Sequence, residues 1–148
     1  MRAVWNAPVG PVTVAGNEAA VEEISFGSTP DGEAPQGAVL LALRELEAYF
    51  AGTLRRFTFP VAPEGTPFQQ AVWTALTRIP YGQTLTYGEL AALLGKPGAA
   101  RAVGMAAHRN PIAIAIPCHR LVGKAGLTGY AGGLPVKQQL LRHEGVVI

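Results

Sequence analysis

β-favouring apolar residues cluster in two short runs near the start of the chain, Val9 to Val14 and Val21 to Phe26, separated by Gly16-Asn17. Residues 1–27 are therefore expected to form a small antiparallel sheet. Residues 28–35, with two prolines and Gly32, form a connecting loop. From Gln36 to Phe50 the period lengthens: Val39, Leu43, Leu46 and Phe50 recur at helical spacing, with Gly52 as a stop signal. Phe57 to Val61 reads as one more strand. Pro63-Glu64-Gly65 then marks a boundary between a domain at 1–62 and a second at 63–148.

The second half is patterned for helices. Thr66 as N-cap, Pro67 at the first helical position and Gln69 three residues after the cap make a strong helix start. Phe68, Val72, Ala75, Leu76 and Ile79 form its apolar stripe, ended by Pro80-Tyr81-Gly82. Thr86 and Glu89 repeat the capping pattern for a second helix that buries Leu90, Leu93 and Leu94. Gly95-Lys96-Pro97-Gly98 turns the chain into a third helix, Ala99 to about His108, completing a helix-turn-helix. Asn110-Pro111 ends that helix, and Ile112-Ala113-Ile114-Ala115-Ile116 is expected as an apolar strand. Pro135 opens a last helix through about His143, with Val136, Leu140 and Leu141 inward and Gly145 at its end. The fold class is α/β (α+β): a small sheet-plus-helix domain, then a mainly helical one.

Charge changes the picture. The net charge of +2 conceals an acidic first half and a basic second half. Residues 1–65 carry four basic and eight acidic side chains, whereas residues 66–148 carry eight basic ones against Glu89 and Glu144. The basic half would attract a polyanion. Its third helix is built from Ala99, Ala100, Ala102, Gly104, Ala106 and Ala107, with Arg101 projecting from the first turns. A DNA minor groove is only about 6 Å wide, and so slim a helix suits it. A single arginine on that helix could insert into the base stack. Met105 is out of keeping with its small neighbours. No apolar run reaches the roughly 20 residues of a membrane span, and no signal-peptide core opens the chain, so the cytoplasm is the expected compartment. One cysteine makes no internal disulfide, and with three scattered histidines it offers no structural zinc site; neither metal nor cofactor is expected.

That cysteine sits in Ile116-Pro117-Cys118-His119-Arg120, ahead of a glycine-rich segment from Gly123 to Gly133. A thiol must lose its proton to attack, and an imidazole stands next to it. Neighbouring side chains on extended chain point opposite ways, so a bridging water between Cys118 and His119 eases the geometry. Glu144 ends the last helix, where a carboxylate opposes the helix dipole and seeks a partner. It can hold the imidazole in its useful tautomer, giving a Cys–water–His–Glu relay. His108 and His143 read as ordinary helix-end residues.

Ile116-Pro117-Cys118-His119-Arg120 resembles the active-site signature of the O6-alkylguanine-DNA alkyltransferases in every position. The resemblance runs on through Thr66-Pro67-Phe68-Gln69-Gln70-Ala71-Val72-Trp73, Ile79-Pro80-Tyr81-Gly82 and Thr86-Tyr87-Gly88-Glu89-Leu90-Ala91. It includes Ala100-Arg101-Ala102-Val103-Gly104, Arg109-Asn110-Pro111, Gly129-Tyr130-Ala131-Gly132-Gly133 and Leu141-Arg142-His143-Glu144-Gly145. Residues 1–60 resemble the family's variable N-terminal domain loosely. The resemblance implies a winged-helix-like C-terminal domain and irreversible, single-use transfer of an alkyl group from guanine O6 to Cys118, with O4-alkylthymine as a further substrate. Arg101 looks like the finger replacing an extruded guanine, with Ala100, Ala102, Gly104, Thr86 and Arg109 on the DNA face. Tyr87 looks like the residue that assists flipping and hydrogen-bonds the leaving base. Asn110 looks like the hinge, and Pro117, Arg120, Tyr130, Ala131 and Gly132 like the pocket surround. The implied partner is double-stranded DNA containing alkylated guanine, met by a monomer. Some members carry a hydroxyl residue where Ala131 stands, and some bind zinc through cysteines this chain lacks. A DNA-binding sensor with an incidental cysteine, and a cysteine hydrolase, are the competing readings.

Overall fold

The computed structural model describes every residue except Thr128, Gly129 and Ala131. The chain divides into two compact units, residues 1–64 with 111–115, and residues 65–110 with 116–148.

In the first unit, β1 (Arg2–Ala7), β2 (Gly10–Gly16) and β3 (Val21–Phe26) form an antiparallel sheet in the order β1-β2-β3. β1 was not anticipated; it pairs with β2 in a continuous register from Arg2↔Ala15 to Ala7↔Gly10. Its alternation of exposed and buried positions is diluted by Trp5 and Asn6, which hides the period. Helix α1 (Gly37–Phe50) covers one face, burying Ala38, Val39, Ala42, Leu46 and Tyr49 against Val12, Val14 and Ile24. Gly52 takes φ 81° beyond its end, the left-handed geometry the stop signal implied.

Two segments read as strands are not strands. Residues 57–61 make only an isolated bridge, Val21↔Val61. The buried Glu45 carboxylate of α1 accepts from the backbone N–H of Thr58 at 2.7 Å and from its hydroxyl, so a side chain replaces a ladder. The apolar run 112–116 is a buried turn, with one bridge from Ile112 to Ile24. Ile114 adopts φ 70°, which no strand contains, and it is 1% exposed. A short apolar run signals burial, and periodicity alone does not separate a strand from a buried turn. Together the two segments occupy the free edge of β3. Val21 N–H donates to Pro60 O and Ile24 N–H to Pro111 O, both at 2.9 Å.

The second unit holds α2 (Pro67–Leu76), the short strand β4 (Leu85–Thr86), α3 (Tyr87–Leu93) and α4 (Ala100–His108). A 3-10 turn (Cys118–Arg120), β5 (Leu121–Val122) and α5 (Leu134–His143) follow. β4 and β5 pair in parallel, Leu85↔Leu121 and Thr86↔Val122. Both capping boxes form: Thr66 with Gln69, and Thr86 with Glu89. α3 and α4 make the helix-turn-helix, with Gly95 at φ 73° in the turn. Trp73 of α2 is buried and donates its indole N–H to Ala106 O at 2.8 Å, fixing α4 against the core. Leu90 is buried as expected and Leu94 is half-buried, but Leu93 is 73% exposed, because at about 100° per residue it falls off the face shared by Leu90, Ala91 and Leu94. On α5 the inward position belongs to Lys137, not Val136, alongside Leu140 and Leu141. Among the described residues no helix is long and apolar enough to cross a membrane.

Candidate active site and nucleic-acid interface

Cys118 opens the 3-10 turn, and its backbone N–H bonds to Ile116 O at 2.8 Å. Pro117, buried in front of it, fixes the approach of the chain. Asn110, just past α4, donates its amide to Ile116 O at 2.8 Å and to the Cys118 sulfur at 3.2 Å. The residue expected as a hinge is thus hydrogen-bonded to the thiol. Burial pushes the Cys118 pKa up, opposed by the Asn110 hydrogen bond and the charge of Lys137.

The structure brings His119 and Glu144 together, 2.8 Å apart and with both side chains fully buried. Arg120 completes the cluster. Its Nε and Nη2 donate to the two Glu144 oxygens at 2.8 and 3.0 Å, and Nη1 donates to Ile79 O at 2.7 Å. Gly82 N–H adds a fourth donor to the carboxylate at 3.2 Å. Burial alone would raise the Glu144 pKa, but the hydrogen bonds and charges of His119 and Arg120 outweigh it and hold the carboxyl well below its usual range. Burial lowers the His119 pKa, so the imidazole is neutral. With Nε2–H given to an ionised carboxylate, Nδ1 is the acceptor nitrogen. It is buried with no hydrogen-bond partner among the described residues.

Arg120 was expected in the pocket surround; the structure gives it the task of neutralising Glu144 inside the protein. Lys137 was missed altogether, although it is fully buried. Lys137, Leu140, Leu141 and Glu144 follow the i, i+3, i+4, i+7 spacing of a core-facing stripe. A lysine on such a stripe was the available signal.

α4 carries the other candidates. Tyr87, Ala100, Arg101, Gly104, Met105, His108 and Arg109 line an open groove of about 650 Å³. Arg101 and Ala102 are exposed. The Tyr87 ring lies against Gly104, where an added Cβ would sit 3.5 Å from it. Thr86 is occupied as the α3 cap, accepting from Glu89 N–H at 3.1 Å. Tyr130 is half-buried, its ring edge-on to His119 with centroids 6.5 Å apart. Gly132 is half-buried in the turn before α5, and Ala131 lies outside the described residues.

Two family models cover nearly the whole chain. Residues 67–146 match the 6-O-methylguanine DNA methyltransferase DNA binding domain, and residues 1–63 match the ribonuclease-like domain of the same proteins. The chain belongs to the 6-O-methylguanine DNA methyltransferase family. A methylated-DNA–protein-cysteine methyltransferase of Methanosarcina acetivorans is 49% identical over 151 residues, covering 97% of each chain. The enzyme of that name from Mycobacterium tuberculosis strain H37Rv is 48% identical over 94% of this chain and 88% of its own. The crystal structure of the M. tuberculosis O6-methylguanine methyltransferase superposes with a TM-score of 0.88 at 45% identity, covering 97% of this chain and 91% of that one. Another crystal structure, of the M. tuberculosis protein in complex with DNA, gives the same values. Family membership makes this chain a DNA-binding repair protein whose reaction is alkyl transfer to a cysteine, with the mixed α/β fold described above.

Proposed function

We propose that this protein, acting as a monomer, takes the alkyl group from guanine O6, and from thymine O4, in duplex DNA onto Cys118, once per molecule. The observation that carries this is the setting of Cys118: its sulfur bonded to Asn110, its neighbour His119 locked by the buried Glu144–Arg120 pair. In the reaction the thiol proton passes through a bridging water to His119 Nδ1, and the sulfur attacks the alkyl carbon. The S–C bond forms as the C–O6 bond breaks, and its electron pair leaves with the guanine. Tyr87 donates a hydrogen bond to the departing base. Slim α4 enters the minor groove, Thr86 and Arg109 meet phosphates, and Arg101 fills the place of the base turned out.

Mass spectrometry after incubation with duplex DNA carrying O6-methylguanine tests the reading. The expected result is the mass of one CH2 added to the peptide holding Cys118, with no second turnover. Unmodified protein saturated with lesion DNA would overturn it in favour of a sensor. Continuous hydrolysis of an ester or amide would favour the hydrolase.

Lys137 gives a pH prediction. Burial raises the thiol pKa and the lysine charge opposes that rise, so Lys137→Met raises it further. Transfer needs the thiolate, so its rate climbs as pH passes upward through the thiol pKa. The whole profile should move to higher pH in the variant. An unmoved profile, followed by thiolate absorbance and transfer rate together, would remove Lys137 from the chemistry.

A further inference from the structure

α4 is small-residued apart from the buried Val103 and three exposed positions on one face, of which His108 ends the helix. The other two are Arg101 and Met105, the latter 64% exposed. They are four residues apart, so their side chains lie one above the other along the helix. Both line the same groove, beside Gly104 and the Tyr87 ring. Exposure of so large an apolar side chain costs solvation in the free protein, and nothing among the described residues covers it. α4 lies within residues 67–146, which match the family's DNA binding domain, and it stands in the half of the chain with eight basic side chains against two acidic ones, so the occupant that would cover Met105 is the duplex itself.

We infer that Met105 is a second wedge, an apolar side chain that presses between base pairs on the floor of the minor groove while Arg101 holds the flipped site. This rests on the minor-groove reading above. Four residues of helix advance about 6 Å, close to two base-pair steps of about 3.4 Å. Met105 therefore meets the stack about two steps from the extruded base. Unbranched and pliable, methionine belongs to the set of side chains that pry base steps apart and kink the duplex. A kink there opens the groove along the helix and lowers the work of turning out the target base. The wedge carries no charge, so it adds affinity without releasing counterions.

The test compares wild type with Met105→Ala, Met105→Gln, Met105→Leu and Arg101→Ala on a duplex labelled at both ends for energy transfer. Met105→Ala and Met105→Gln should weaken duplex affinity about 5- to 30-fold and reduce the bend, while Met105→Leu keeps both. The slope of log affinity against log salt should be unchanged for all Met105 variants. The ratio of transfer from duplex to reaction with free O6-benzylguanine should fall in Met105→Ala. Wild-type affinity and bend in both Met105→Ala and Met105→Gln would overturn the wedge. If Arg101→Ala also behaved as wild type, the minor-groove reading would fall with it; a defect in Arg101→Ala alone would remove only the wedge.

Discussion

Replacing Glu144 by glutamine is expected to remove about 3–5 kcal/mol of folding stability and to stop alkyl transfer. The carboxylate is fully buried and receives Arg120 on both oxygens, His119 on one and Gly82 on the other. Glutamine keeps the shape but leaves the Arg120 guanidinium buried without a counter-charge. The cost should be largely recovered in the double variant Arg120→Met with Glu144→Gln, which removes both charges. Acid should imitate the single variant. The Glu144 pKa is depressed in the folded protein, so its stabilisation is present above the ordinary carboxylate range and fades as pH falls toward the folded value. Denaturant unfolding of all three proteins across pH checks both halves of this. A Glu144→Gln protein as stable as wild type would mean that water reaches the cluster.

The second large effect concerns Arg101→Ala. Extruding a base costs a few kcal/mol of stacking and pairing. If Arg101 supplies about 2–3 kcal/mol of that by filling the gap, transfer from duplex DNA should slow roughly 30- to 150-fold. Reaction with a free O6-alkylguanine base needs no extrusion and should lose far less. Arg101 is exposed on α4, and a folding defect would lower both reactions alike, so it would not produce the difference. Equal losses on the two substrates would assign the arginine to the chemistry and not to flipping.

The contrast between these residues tells what a sequence can disclose. The capping boxes at Thr66 and Thr86 were legible because every partner lies within three positions. The slim face of α4 was legible because composition alone makes a helix narrow. The pairing of His119 with Glu144 could be proposed from their chemistry, but the burial of Arg120 against the same carboxylate could not. That depends on Ile79 and Gly82, which reach the cluster from across the unit. Lys137 was hidden by an assumption that lysines face water. The turn at 112–116 was hidden because Ile114 occupies a backbone region that isoleucine seldom visits.

That turn has a practical consequence for anyone wishing to shorten the protein. Residues 111–115 pack with the first unit, while Asn110 and Ile116 on either side of them pack with the second. Ile112, Ala113 and Ile114 are all buried, and Pro111 and Ala113, on either side of Ile112, hydrogen-bond to Ile24 of β3. A fragment cut after Glu64 would carry three aliphatic side chains with nothing left to cover them, in the loop that presents the thiol. Such a fragment is a poor candidate for a stand-alone reagent unless that loop is redesigned with polar residues at 112 and 114.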